Sequence, residues 1–185
     1  MDKKTHVICI TRDLILEEGL QSASMSKIGK VSGVAIGTIY NLFPSKEILI
    51  NEVYLYSRNK FLDVYDTKLN QENTTFKEAL MHLLENYIEK ALNNKNDYLF
   101  VEQYHLSSTL NEDTRLPDHI TLGNLLLDEA IKECIVKPLP PALFTSILLG
   151  VINKPISAHF AGLVTIDSDT KKMLLAIAWD AIKYI

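Results

Sequence analysis

Apolar residues recur at helical spacing along nearly the whole chain. Near the N-terminus Val7, Ile10 and Leu14 lie three and four residues apart, which places them on one face of an α-helix. Thr75–Glu78 has the form of a capping box and precedes another such stripe. No segment alternates apolar and polar residues as a half-buried strand does. The pattern predicts an all-α protein, with further helices over about residues 96–110, 117–136, 141–162 and 168–184.

Turn and capping residues divide the N-terminal part of the chain into four helices. Gly19 suits the end of the first helix, and Ser24 is a good N-cap for a short second helix that Gly33 stops. A third short helix ends at Pro44, and Ser45 can cap a fourth that extends to about residue 70. Two short helices joined by a glycine-containing turn, with the second exposed, form a helix-turn-helix.

The second helix of this motif carries the side chains that a DNA-reading helix needs. Such a helix enters the major groove, so its outward side chains must be small enough to approach the base edges. Gly37 removes a side chain at the start of the helix, and Thr38 and Asn41 offer hydrogen-bonding groups. Tyr40 can direct its hydroxyl to a phosphate, and Lys46 lies in the first turn of the next helix, where backbone N–H groups also favour phosphate.

Net charge supports a DNA partner only for the N-terminal third. The chain as a whole carries −4. Residues 1–60 contain eight Lys and Arg against six Asp and Glu, a net of +2, and residues 61–185 contain eleven against seventeen, a net of −6. Only the first part is therefore suited to lie near phosphates.

Other function classes find no support in the sequence. The first ten residues contain no apolar signal region, and the longest apolar run, Ala142–Ile152, is shorter than the ~20 residues that span a bilayer. Cys9 and Cys134 are predicted to be reduced thiols of a cytoplasmic protein that does not contact membranes. The histidines lack metal-ligand spacing, and no common nucleotide or hydrolase motif occurs. We expect no metal, no cofactor and no enzymatic activity.

The segment SMSKIGKVSGVAIGTIYNLFPSKEIL, residues 24–49, resembles the DNA-binding region of TetR-family transcriptional regulators. The resemblance covers roughly residues 3–55 and implies a helix-turn-helix at about 24–43, within a DNA-binding domain of residues 1–47. It also implies a helical effector-binding and dimerisation domain over residues 48–185. Ala35 departs from the usual Ser or Thr cap of the third helix, and Gly29 from the usual alanine. The predicted DNA-binding residues are Ser24, Ser26, Lys27, Ala35, Ile36, Gly37, Thr38, Tyr40, Asn41 and Lys46.

The C-terminal domain has the apolar content of an effector pocket and of a dimer interface. Glu102 is the only charged residue among residues 98–110, which favours a largely hydrophobic ligand. Aromatic residues with a polar handle and their neighbours are the candidate ligand-binding residues: Phe61, Tyr65, Tyr87, Phe100, Tyr104 and His105. Met173–Ile185 is apolar nearly all round, so it is either fully buried within the chain or paired with a second subunit. The predicted interface residues are Phe144, Ile147, Val151, Leu174, Ala178 and Ala181.

These features favour a homodimeric repressor that binds a pseudo-palindromic double-stranded DNA operator and is released by a small, largely hydrophobic molecule. In such a mechanism the ligand shifts the population away from the DNA-bound arrangement, with the fourth helix as the mechanical link. Two alternatives stay open: a helical small-molecule-binding protein, and a regulator without a small-molecule effector.

Overall fold

The structure, a computed structural model, describes residues 2–62, 74–105, 107, 110 and 127–184. Within these ranges the regular secondary structure is helical, apart from one isolated antiparallel bridge between Val136 and Lys183. The all-α prediction is therefore confirmed. The helices are α1 (Lys3–Glu18), α2 (Met25–Ser32), α3 (Ile36–Leu42), α4 (Lys46–Leu62), α5 (Phe76–Asn93), α6 (Lys95–Tyr104), α7 (Pro141–Phe160) and α8 (Ser168–Ile182), and residues 127–132 are also helical.

The predicted helix ends mostly follow their capping residues. The Ser24 Oγ accepts a hydrogen bond from the Lys27 N–H at 3.2 Å, and Gly33 ends α2 in the left-handed conformation at φ 68°. The capping box is present: Thr75 N–H donates to Glu78 Oε2 at 3.0 Å, and Glu78 N–H donates to Thr75 Oγ1 at 3.3 Å.

Some predicted helix bounds differ from the structure. α6 ends at Tyr104 rather than near residue 110. α7 continues through Pro155 and ends at Phe160. The extension of the fourth helix to about residue 70, and most of the helix predicted over 117–136, lie outside the described residues.

The chain divides into two compact units, of which the first comprises Met1–Phe61 and Asn94–Leu116. In this unit α1 packs against α2 and α6, and α2 packs against α3. Its hydrophobic core includes Val7, Ile15, Ile28, Ile39, Phe43, Leu49, Val53 and Phe100, all at most 1% exposed. The unit thus combines the N-terminal helices with α6, which follows α5 in the sequence. The predicted domain boundary at residue 47 stays a prediction.

The second unit comprises Leu62–Asn93 and Pro117–Ile185. Here α5, α7 and α8 pack against one another through buried residues such as Leu84, Ile88, Ile152 and Ile156. The C-terminal end of α8 is held by the segment before α7. Lys137 donates from its backbone N–H to the Ile182 carbonyl at 2.8 Å and from Nζ to the Ala181 carbonyl at 2.8 Å.

α7 is largely apolar and only partly buried within the chain. Among the described residues it is the one helix that is long and apolar enough to cross a membrane by length and composition, a criterion that the core helix of a protein also meets. Of its most apolar window, 22% is buried within the chain.

Candidate nucleic-acid interface

α2, the turn after it and α3 form the predicted helix-turn-helix. The left-handed Gly33 reverses the chain, and α3 begins two residues after Val34. Ala35 occupies the N-cap position of α3, where its carbonyl accepts from the Thr38 N–H at 2.9 Å and the Ile39 N–H at 3.1 Å. As predicted, alanine supplies no side-chain cap, so the start of α3 is held by backbone bonds and by packing.

Gly29 supplies that packing. A Cβ atom built at Gly29 would lie 3.2 Å from the Val34 carbonyl oxygen, 3.5 Å from Ile39 Cδ1 and 3.9 Å from Ile36 Cα. The missing side chain thus lets α2 approach both the turn and the start of α3. This close approach offsets the loss in helix propensity, about 1 kcal/mol relative to alanine, that glycine brings to α2.

The outward surface of α3 forms a contiguous exposed face, which we call the reading face: Ala35, Ile36, Gly37, Tyr40 and Asn41. Ile36 and Tyr40 lie four residues apart in one row, and Gly37 and Asn41 lie four apart in the next. Beneath them Ile39 is fully buried, and Thr38 is half-buried at the edge of the face. The structure therefore brings together most of the predicted base-reading residues on one side of a well-anchored helix.

Gly37 has no structural requirement for glycine within the described part of the chain. Its φ is not positive, and a Cβ atom built there would meet no described atom within 4 Å. Glycine inside a helix costs about 1 kcal/mol relative to alanine. The residue therefore leaves open space in the middle of the reading face at a cost in stability.

Both lysines among the predicted DNA-binding residues have partners within the protein. Lys46 Nζ donates to the Leu20 carbonyl at 2.7 Å, which ties the first turn of α4 to the α1–α2 turn. Lys27 forms an ion pair with Glu18, and the Ser24 Oγ caps α2, whereas Ser26 is exposed. To bind phosphate, Lys46 and Lys27 would have to share or exchange these partners. The sequence did not indicate that either lysine has such a partner.

The candidate ligand-binding residues lie in different units. Phe100 and Tyr104, with ring centroids 4.8 Å apart, belong to the core of the first unit, and Tyr87 is half-buried in the second, where its hydroxyl donates to Asn153 Oδ1 at 2.9 Å. His105 is exposed, and the side chain of Phe61 and all of Tyr65 lie outside the described residues. Packing accounts for the burial of Phe100 and Tyr104, and the ligand site stays a prediction.

Burial raises the pKa of Tyr104, and the Leu20 N–H beside its hydroxyl partly opposes this increase. The Tyr104 side chain on α6 thus reaches the same α1–α2 turn that Lys46 contacts from α4. The α1–α2 turn is therefore contacted by side chains of both α4 and α6.

The predicted dimer residues are divided between the core and the surface of the second unit. Phe144, Leu174 and Ala178 are buried within the single chain. Their side chains lie on the inward face of α7 and α8, which pack against each other. Ile147, Val151 and Ala181 are half-buried. The large apolar residues that are exposed on these helices are Leu143, Met173 and Ile177. The predicted interface stays a prediction.

A polar network between α1 and α6 was missed by the sequence reasoning. Arg12 Nη1 lies 2.5 Å from Asp97 Oδ1, and Arg12 Nη2 lies 2.8 Å from Asp13 Oδ1. Asn96 Nδ2 also donates to Asp13 Oδ1, at 2.9 Å. Burial alone would lower the pKa of Arg12, but the hydrogen bonds to Asp13 and Asp97 raise it above its ordinary value. The network fixes α6 to the helix that supports the helix-turn-helix.

Comparison with known proteins agrees with this geometry. Residues 10–53 match the family model described as bacterial regulatory proteins, tetR family. The chain is 27% identical over 128 residues to an HTH-type transcriptional regulator of Staphylococcus aureus (strain MRSA252), covering 66% of the chain and 65% of that protein. It is 24% identical over 160 residues to the fatty acid metabolism regulator protein of Bacillus subtilis (strain 168), covering 84% and 82% respectively.

The fold is also shared with solved structures. A TetR-family transcription regulator from Shewanella sp. PV-4 superposes with a TM-score of 0.86 over 100% of both chains, at 19% identity. Two short helices joined by a tight turn, with the second exposed on a helical scaffold, are the arrangement of helix-turn-helix DNA-binding proteins. Residues 10–53 form a DNA-binding region of the TetR type, and the chain as a whole is similar to TetR-family transcriptional regulators. The resemblance drawn from residues 24–49 is thereby confirmed, and the matched family consists of DNA-binding regulators rather than enzymes.

Proposed function

We propose that the protein is a cytoplasmic, homodimeric repressor that binds a pseudo-palindromic operator and is released by a small, largely hydrophobic effector. The observation that carries the DNA-binding part is the reading face, in which Gly37 leaves open space that neither the backbone nor packing requires. A helix surface that must approach base edges closely accounts for this glycine. DNA contacts would then come from Ser26, Thr38, Tyr40 and Asn41, with Lys27 and Lys46 at the phosphates.

The dimer is supported by the surface of α7 and α8. Met173 is 62% exposed and Ile177 is 49% exposed, and the two lie four residues apart on one face of α8. Leu143 is exposed on α7, and exposed Gly150 lies seven residues, about two turns, further along that helix. Large exposed apolar surfaces of this kind mark protein interfaces. A second copy of the chain is the partner that a pseudo-palindromic operator requires, because two-fold symmetric DNA is read by two-fold symmetric dimers.

The effector we propose is a small, largely hydrophobic molecule. The name of the Bacillus subtilis relative refers to fatty acid metabolism, which agrees with a hydrophobic ligand class. Tyr87, whose hydroxyl bonds to Asn153 within the helices of the second unit, offers a polar group beside apolar surface. Such a ligand would act by favouring the conformation that does not fit the operator.

DNA binding is tested with the wild-type protein and the Gly37→Ala variant on DNA that flanks its own gene, using fluorescence anisotropy at fixed salt. The added methyl group meets open space in the protein, so the variant should be as stable as the parent or more stable, yet bind the operator at least tenfold more weakly. Equal operator affinity of the two proteins would remove Gly37 from the interface. Absence of a preferred sequence for the parent would refute the function.

Dimerisation is tested with Ile177→Glu, which places a charge on the exposed face of α8. Sedimentation should show a monomer with unchanged helical content and much weaker operator binding. Lys172→Glu is the matched control, because Lys172 is exposed on α8 and its side chain is 76% accessible. An Ile177→Glu protein that stays dimeric would place the interface elsewhere.

A further inference from the structure

The reading face lacks the side chains that most often identify guanine. α3 consists of IGTIYNL and contains no Arg, Lys, Gln, Glu or Asp. Arg and Lys bind guanine and Gln and Asn bind adenine, so Asn41 is the one residue of α3 with two-pronged base-reading chemistry. Thr38 is half-buried. The first turn of α3 therefore presents mainly apolar surface to the DNA.

Ile36 provides that apolar surface. It is the first residue of α3 and is 44% exposed, although isoleucine is among the residues most often buried. Its Cα lies 3.9 Å from the Cβ position of Gly29, so α2 fixes its backbone from behind. The N-terminal residues of a recognition helix are those that contact base edges. Next to it, Gly37 carries no side chain that would hold the DNA away from Ile36.

We infer that Ile36 contacts the C5-methyl group of a thymine in the major groove and so recognises that base. This inference rests on the proposed function. Thymine is the base that presents a methyl group there, and an apolar contact with it discriminates thymine from the other bases. Tyr40, one turn later in the same row, extends the apolar surface, and Asn41 in the neighbouring row is placed to read an adenine. Each operator half-site is therefore expected to carry a required thymine opposite the start of α3.

The experiment replaces thymine by uracil, which keeps the base pair and removes only the methyl group. A bound operator fragment is resynthesised with single uracil substitutions and with both symmetry-related positions substituted. Burying one methyl group is worth about fourfold in affinity, so wild-type binding should weaken about fourfold at one position in one half-site and about fifteenfold when both are substituted. Other thymines should show little effect.

The Ile36→Ala variant assigns the effect to this side chain. It should bind the thymine operator more weakly than the parent and should no longer distinguish thymine from uracil at that position. Val31→Ala is the matched control, because Val31 is an equally exposed apolar residue at the end of α2, and this variant should keep the parent's ratio. Thermal unfolding of each variant establishes that it is folded.

The outcomes separate the inference from the proposed function. If the parent binds its operator but uracil has no effect, or if Ile36→Ala keeps the parent's thymine-to-uracil ratio, the inference is overturned while the repressor proposal stands. If the parent prefers no sequence at all, the proposed function fails and the inference fails with it.

Discussion

Replacing Asp97 tests whether the contact between α1 and α6 stabilises the DNA-binding unit. The Asp97 side chain is 9% exposed and that of Arg12 is 12% exposed, so this ion pair is largely removed from water. Removing one member of such a pair costs about 3–5 kcal/mol, because the remaining charge is left buried. Asp13 stays beside Arg12 at 2.8 Å and partly neutralises it. We therefore expect Asp97→Ala to lower the free energy of unfolding by about 2–3 kcal/mol.

The assay is differential scanning calorimetry, because the two units need not unfold together and a single midpoint could hide the effect. Trp179 is the chain's one tryptophan and lies in the second unit, so its fluorescence provides a separate signal for that unit. Glu52→Ala is the matched control in the first unit. Glu52 pairs with Lys4 at 2.8 Å, with side chains 36% and 48% exposed, and a surface pair of this kind contributes at most about 1 kcal/mol.

A double-mutant cycle identifies the source of the loss. In an Arg12→Met background the guanidinium beside Asp97 is gone, so adding Asp97→Ala should cost less than about 1 kcal/mol. If Asp97→Ala costs no more than Glu52→Ala, or costs the same with and without Arg12, the ion pair does not stabilise the unit and the reasoning is refuted.

Four further substitutions test individual features. Cys134 has a left-handed φ of 55° that glycine adopts without strain. Cys134→Gly should therefore raise the free energy of unfolding by about 1 kcal/mol, as measured by chemical denaturation. An unchanged free energy of unfolding would argue against strain at this position. Ala35→Ser should raise the free energy of unfolding by about 1 kcal/mol, because serine supplies the missing side-chain cap of α3. An unchanged denaturation midpoint would mean that the cap does not form. If Lys46 contacts a phosphate, Lys46→Ala should reduce the slope of log operator affinity against log salt concentration by about one unit. Equal slopes for the variant and the parent would mean that Lys46 bonds only to the Leu20 carbonyl. Hydrogen bonding to Thr170 lowers the pKa of Asp167. The contribution of Asp167 to the free energy of unfolding is therefore present above the ordinary carboxyl pKa and is lost as the pH falls through the folded value. The free energy of unfolding of Asp167→Asn should thus fall less steeply with acid than that of the parent, and parallel acid titrations would contradict this.

Helix ends were predictable because each depends on residues that are close in the sequence. Ser24 caps the N–H of Lys27 three positions later, and Thr75 and Glu78 satisfy each other's backbone groups. Gly33 adopts a left-handed conformation that other residues rarely take. Since these are local hydrogen bonds and local sterics, the helix-turn-helix and its exposed second helix follow from a short stretch of sequence.

The partners of charged residues were not predictable, because they depend on which helices meet. Arg12 and Asp97 are 85 positions apart, and only the packing of α6 on α1 brings them together. The same holds for Lys46, whose ammonium group bonds to a backbone carbonyl that any residue type could supply. Sequence chemistry predicted Lys46 as a phosphate ligand without indicating this competing bond.

Helical register was ambiguous where a helix is apolar nearly all round. In α8 the buried positions are Leu174, Ala178 and Ile182. Its exposed large apolar residues, Met173 and Ile177, each lie one residue before a buried position. Periodicity cannot separate these two sets when both are apolar. The residues predicted for the interface therefore include both buried and half-buried positions.

The contacts of the α1–α2 turn show that the helix-turn-helix depends on residues well outside it. The Leu20 carbonyl accepts from Lys46 of α4, and the Leu20 N–H lies beside the Tyr104 hydroxyl of α6. α6 is also fixed to α1 through Arg12. The helices that support the reading face are thus held by a segment that follows it by some sixty positions in the chain. Because α6 contacts both α1 and the turn before α2, we expect changes at these contacts to alter the stability of the helices that support the reading face.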